Sequence, residues 1–268
     1  MAPKLRPAAV IAVLRELSAA GDPGHVAVSG PDVLADTLRK ELARGGDASA
    51  VRRGSHEGAA VLVHVLAAAP TEADERVLKA AHRARVPIVV VLAGPGIDDR
   101  IPYVLATDVV PTPAGSGFDV DRLAHLLAVK LGEEATPIAA RLPVLRGPVL
   151  SHLVERFARR NGLVGAVVFV PGADLPVMTL NQIRMVLRIA HAHGIDVGQE
   201  RIPEVLATVG SGFALRAVAR QALALVPVGG WAVKGAVGYA GTRAIGEAAR
   251  RYFGELAERS DGSVRSGS

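Results

Sequence analysis

Cysteine is absent from the 268 residues. That removes disulfides, thiol nucleophiles and thiolate metal sites together, and it suits a cytoplasmic location. Aromatic residues are scarce, at 3% with a single Trp. Proteins that stack the bases of single strands need more of them, so nucleic acid is not an expected partner. No secretory signal peptide is visible, because Arg15 and Glu16 cut the apolar run that follows Lys4 and Arg6. Charge is also missing from two long windows. Between Arg160 and Arg184 the only ionised side chain is Asp174, and between Arg220 and Arg243 it is Lys234.

What is present is apolar: 50% of the residues are hydrophobic, enough to build a core and to make wholesale disorder unexpected. The length exceeds the ~100–200 residues of a typical domain, so two domains are expected. The formal net charge of +5 is unevenly spread. Residues 1–150 carry 17 Lys and Arg against 17 Asp and Glu, whereas residues 151–268 carry 14 against 9. An Arg-rich second half suits an anionic membrane or an acidic partner, and equally a solvated helix surface.

Along the chain, short apolar runs alternate with helical segments. Ala8 to Leu17 reads as a short helix, His25 to Val28 as a buried strand, and Asp32 to Ala43 as a helix stopped by Gly45-Gly46. Ala59 to Leu66 reads as a strand, Thr71 to Arg83 as a helix, Val86 to Leu92 as a strand, Tyr103 to Val109 as a weaker strand and Asp119 to Leu131 as a helix. This alternation predicts a parallel sheet covered on both faces. Ligands in such folds sit at the carboxyl ends of strands, and phosphates favour the first strand-turn-helix junction.

That junction does not carry a working phosphate loop, which reads Gly, four residues, then Gly-Lys-Ser/Thr. Counted from Gly30, Ala35 replaces the second glycine, Asp36 replaces the lysine, and Thr37 keeps the last position. Asp32 adds a carboxylate to the first turn, where it competes with a phosphate for the same amides. A like charge ~4 Å away costs about 4 kcal/mol at an effective dielectric of ~20, roughly a thousandfold in affinity. No bound cofactor is expected, and Gly30, Ala35, Asp36 and Thr37 read as a vestigial phosphate loop. The alternative is a switch or enzyme using an atypical phosphate ligand at Gly30.

Val61 to Asp74 followed by Val86 to Leu92 resembles the later strand-helix-strand of Era-like GTPases, a likeness extending over about residues 24–132. In that family the second of these strands leads into an Asn-Lys-x-Asp guanine-reading motif. Here it leads into Ala93-Gly94-Pro95-Gly96, and no Asp-x-x-Gly stands between Ala48 and Ala60. The resemblance therefore implies a GTPase scaffold without its ligand.

The second half is expected to be helical: Val149 to Arg160, Thr179 to His193, Pro203 toward Leu225, and Trp231 to Phe253. Pro171-Gly172-Ala173-Asp174 with Leu180-Asn181-Gln182, then Leu225 to Gly230, then Ala240 to Gly246, resemble the domain of unknown function 697 over about residues 150–254. That family is often fused to Era-like GTPases. Membership implies no enzymatic activity, and some relatives resemble inner-membrane proteins.

The stretch from Gln221 to Thr242 meets the ~20 residues that a membrane span needs, although Pro227, Gly229-Gly230 and Lys234 interrupt it. Gly235, Gly238 and Gly241 repeat every three residues, a smooth face for close packing. Insertion and a soluble bundle both remain open here. Arg156, Arg159, Arg160, Trp231, Lys234 and Arg243 are the candidate membrane or partner contacts. His191 and His193 point to different helix faces, so no metal site is expected. His64 in its apolar strand reads as a packed core histidine, and Gly210-Ser211-Gly212 lacks a positioned base, so no catalytic residue is assigned.

The sequence thus predicts an α/β, parallel-sheet, P-loop-GTPase-like domain lacking nucleotide motifs over 1–132, a proline-containing connector over 133–148, an all-α domain over 149–257 and a disordered tail over 258–268. The expected function is a non-catalytic, membrane-associated scaffold or regulator at the inner face of the cell membrane. Its expected partners are an anionic membrane or membrane protein, an unidentified protein, or a second copy of the chain. A soluble oligomerising module is the further alternative.

Overall fold

The structure is a computed structural model that describes residues 24–94, 96–98, 100–112, 117–167, 175–195 and 230–265. The expectations for Ala8 to Leu17, Pro171 to Asp174, Pro203 to Leu225 and Pro227 to Gly229 lie outside the described residues. The side chains of Trp231 and Lys234 lie outside them as well. The described residues divide into two compact units, one within Asp22–Val149 and the other within Leu150–Ser268.

The first unit is an α/β fold. Its strands are β1 (His25–Ser29), β2 (Val51–Arg53), β3 (Ala59–Leu66), β4 (Ile88–Leu92) and β5 (Val109–Pro111). They form one parallel sheet in the order β2-β1-β3-β4-β5. The helices are α1 (Asp32–Leu42), α2 (Glu72–Arg83), α3 (Val120–Lys130) and α4 (Ala135–Arg141). Alternation along the strands sorts the core into two layers. Ala27, Leu62, Leu66, Val90 and Leu92 share one cluster with Leu78 and Ala81 of α2. Val26, Val28, Val61, Val63, Val65, Val89 and Val91 have the opposite parity and are equally buried.

The crossover from β2 to β3 passes beneath β1 in residues 54–58 alone, where parallel strands usually need a dozen or more. The short path suffices because β2 spans only the level of Val26 to Val28, so the chain has little height to lose. Gly24 permits the close passage: a Cβ there would stand 3.0 Å from the Gly58 carbonyl oxygen.

One expectation changes in this unit. The strand expected over Tyr103 to Val109 is shifted: Tyr103 occupies a left-handed turn, Ala106–Asp108 is a 3-10 turn, and pairing begins at Val109. Residues 133–148, expected as a proline-containing connector, contain helical elements. They hold a 3-10 turn, α4 and the start of α5 (Pro143–Val167). Arg141 ties α4 to the α/β unit, donating to Asp47 at 3.0 Å, to Ser49 at 2.9 Å and to the Gly24 carbonyl at 3.3 Å. Ile138, Ala139, Leu142 and Leu145 are buried.

The second unit is helical, with most of α5, α6 (Leu175–Ala192) and α7 (Gly230–Arg265). Helix α7 continues to Arg265, so the tail expected from 258 is helical through that residue. Among the described residues, no helix is long and apolar enough to cross a membrane.

Candidate functional site

The strand order places a topological switch at β1 and β3, and in doubly wound sheets the ligand crevice lies beyond the carboxyl ends of the strands at that switch. Ser29 closes β1, and Gly30 turns the chain into α1 with φ 114°. A Cβ on Gly30 would lie 2.2 Å from the Val65 carbonyl oxygen, so only glycine fits between the two strands. Helix α1 already starts at Asp32, leaving no loop to wrap a phosphate. Ala35 is buried in the core, and the Thr37 hydroxyl donates to the Val33 carbonyl at 2.8 Å.

The amino end of α1 is occupied by its own charges. Arg53, at the end of β2, donates to Asp32 at 2.5 Å and stands 3.5 Å from Asp36. Asp36 also faces Arg39 at 3.6 Å. The hydrogen bond to Asp32 holds the Arg53 guanidinium above its ordinary value. Asp32 and Asp36 together engage both Arg53 and Arg39, so this corner holds no uncommitted positive charge to offer a phosphate.

Beside it stands a relay that sequence reasoning missed. Ser29 and His64 are cross-strand neighbours. Ser29 Oγ lies 2.7 Å from His64 Nδ1, and His64 Nε2 lies 2.9 Å from Asp74 Oδ1. Asp74 in turn accepts from the Thr71 amide at 2.8 Å and the Thr71 hydroxyl at 2.6 Å, completing the capping box that starts α2. An ionised Asp74 only accepts, so Nε2 carries the proton and Nδ1 accepts from the Ser29 hydroxyl. Burial pushes His64 below its ordinary value, and Asp74 only partly opposes it. For Asp74, burial pushes upward, and the Thr71 and His64 hydrogen bonds more than reverse it. The order Ser, neutral His, carboxylate is that of an activated nucleophile. It is also a satisfied staple joining two strands to a helix, and the ring is only 2% exposed.

No protein-family model, curated protein or solved structure matches the chain.

In the helical unit, three residues that carry the resemblance, Asn181, Gln182 and Thr242, converge with Asn161. Asn181 Nδ2 donates to Asn161 Oδ1 at 2.8 Å. Asn161 Nδ2 donates to Thr242 Oγ1 at 2.9 Å and to the Met178 carbonyl at 3.3 Å. Gln182 Nε2 reaches Thr242 Oγ1 at 3.2 Å. All four polar side chains are buried, so this cluster fixes how α5, α6 and α7 register against each other. The glycine repeat of α7 is only partly a packing face. Cβ atoms at Gly235 and Gly238 would press on Gly162 and Asn161 of α5, whereas Gly241 faces open space.

The arginine candidates divide. Arg159 binds Glu155 at 2.6 Å, Glu155 accepts from Tyr239 at 2.8 Å, and Arg243 reaches the Tyr239 hydroxyl at 3.3 Å. The Arg159 hydrogen bond, followed by that of Tyr239, lowers the Glu155 carboxyl. Arg156 lies over the Phe157 ring, and Arg160 is exposed. No group of three or more His, Asp or Glu capable of holding a metal occurs among the described residues.

Proposed function

We propose that the chain is a non-catalytic scaffold or regulator: a pseudo-GTPase unit carrying a helical unit of the domain of unknown function 697 kind, working at the inner face of the cell membrane with an anionic surface or a protein there. The observation that carries the first half is the Asp32, Arg53 and Asp36 cluster on a helix that begins at the turn itself. Placing a triphosphate there would set it against two carboxylates that already engage the local arginines, Arg53 and Arg39. The meeting of Asn181, Gln182 and Thr242 in one buried cluster supports the second half. Fluorescent GTP and ATP analogues titrated into the full chain should show no saturable binding at micromolar concentration, and micromolar affinity for either would overturn the pseudo-GTPase reading. Flotation with anionic liposomes at low and high salt tests the membrane part, since salt releases a surface held by arginine alone. A chain that stays with neither neutral nor anionic vesicles rules the membrane out.

The relay favours a second reading, a Ser29 nucleophile with His64 as its base. A fluorophosphonate probe would then label Ser29 in the native chain and leave Ser29→Ala unlabelled. Absence of labelling while a control serine hydrolase reacts would reject it.

A further inference from the structure

The amino edge of the sheet, opposite the switch point, holds a feature that neither reading uses. A cleft of about 820 Å³ opens between the end of α2, the start of β4 and the segment leading to β5. Arg85 and Tyr103 both line it, and both adopt left-handed backbone, with φ 58° and 66°. They are the two non-glycine residues among those described that do so. Arg85 fills the position after the α2 cap, with Val86 N–H bonded to the Ala81 carbonyl at 3.0 Å and Arg85 N–H to the His82 carbonyl at 3.1 Å. Helices that end this way usually place glycine there. The chain keeps arginine, and strain of this sort is retained where a side chain has a task.

The chemistry of the cleft is uneven. Arg83 and Arg85 are exposed, and among the described residues neither guanidinium enters an ion pair or hydrogen bond. Lys130 and Asp108, which also line it, pair with each other, so that carboxylate is already neutralised. Tyr103 and Leu105 are 42% and 68% exposed and give the cleft an apolar lip, with the Tyr103 ring 5.7 Å from His82. Tyr and Arg are residue types enriched in protein-binding hot spots.

We infer that this cleft docks an acidic peptide segment of a partner protein, its carboxylates on Arg83 and Arg85 and an apolar side chain on Tyr103 and Leu105. A lone small anion would meet two open guanidiniums in water and little else. A segment that also covers the lip gains apolar burial. The inference concerns the edge away from Gly30 and does not rest on the pseudo-GTPase reading.

The test is a peptide-display library panned on the full chain, with enriched peptides measured by fluorescence anisotropy. Acidic peptides bearing an apolar anchor are expected to enrich. Exposed charge pairs are each worth a few-fold, so R83E/R85E should weaken them about tenfold or more. Leu105→Ser weakens them with both arginines in place. The decisive variant is Arg85→Gly, which relieves the backbone and removes the guanidinium: its melting temperature should rise while peptide binding weakens. No enrichment, enrichment of peptides without acidic residues, full displacement by millimolar inorganic phosphate, preference for a single-stranded oligonucleotide, or equal affinity for R83E/R85E would each overturn the inference.

Discussion

Replacing His64 with leucine should flatten the acid limb of the stability profile of the α/β unit. The ring is almost wholly buried, and burial lowers its proton affinity below the ordinary value of 6.5. The unfolded chain therefore takes up this proton first as pH falls. Stability is complete above about 6.5 and is lost progressively as pH falls through the depressed folded value. One excluded proton sets the maximum slope at about 1.4 kcal/mol per pH unit. At neutral pH the substitution removes a charge-assisted hydrogen bond of ~1.5–3 kcal/mol and a neutral one of ~1 kcal/mol. It gains ~1.5–3 kcal/mol of aliphatic burial, so the two chains should agree within about 2.5 kcal/mol there. Hydrogen exchange by mass spectrometry on the full chain, followed on peptides covering β1 and β3 from pH 8 to about 5 and corrected for intrinsic rates, reads this unit alone. His152, whose proton affinity is also lowered by burial and by Arg156 and Arg159, lies in the other unit and is present in both chains. Equal pH slopes in native and variant chains would refute the assignment of a neutral, buried His64, as would protection that grows on acidification.

Gly30→Ala should cost about 3 kcal/mol or more in denaturant unfolding, since the new Cβ meets the Val65 carbonyl oxygen at 2.2 Å on left-handed backbone; a neutral result would mean that the β1 turn is placed wrongly. In α7, Gly238→Ala should destabilise by ~1–3 kcal/mol because its Cβ would lie 2.8 Å from the Asn161 carbonyl oxygen. Gly241→Ala, facing open space, should stabilise by up to ~1 kcal/mol, and helical circular dichroism during melting separates the two. Asn161→Ala strips the Asn181 donor of its partner and should cost ~2–4 kcal/mol. Combined with Thr242→Val it should show a coupling of ~0.5–3 kcal/mol, and simple additivity would place the two side chains apart.

Much of the α/β unit is legible because β1, β3 and β4 are apolar runs at strand length bounded by turn residues. Strand β2 is not, since Val51-Arg52-Arg53 is three residues with two charges pointing outward. The three prolines of 133–148 suggest a connector, yet Pro143 opens α5 and Pro148 is carried inside it. The relay is hidden for a different reason. Ser29 and His64 are separated by 35 positions and meet only through parallel register, which composition does not encode. The Thr71-Glu72-Ala73-Asp74 capping signature was available as a signal, but not that its acid would also reach a histidine. Asn161 presents the same problem: beside Gly162 it reads as a turn residue, and tertiary partners make it a helical core residue.

The margins of the sheet have a consequence for how the protein behaves when crowded. At one margin β2 offers three residues bearing Arg52 and Arg53, and at the other β5 offers three that end in Pro111, which has no amide proton to give. Among the described residues, neither margin presents a ladder long enough for a neighbour to extend. Copies brought together at high concentration, or chains caught part-way through folding, find little backbone to zip onto at the finished edges. Self-association of this unit has to be built from side chains, which leaves it sensitive to salt and to single substitutions.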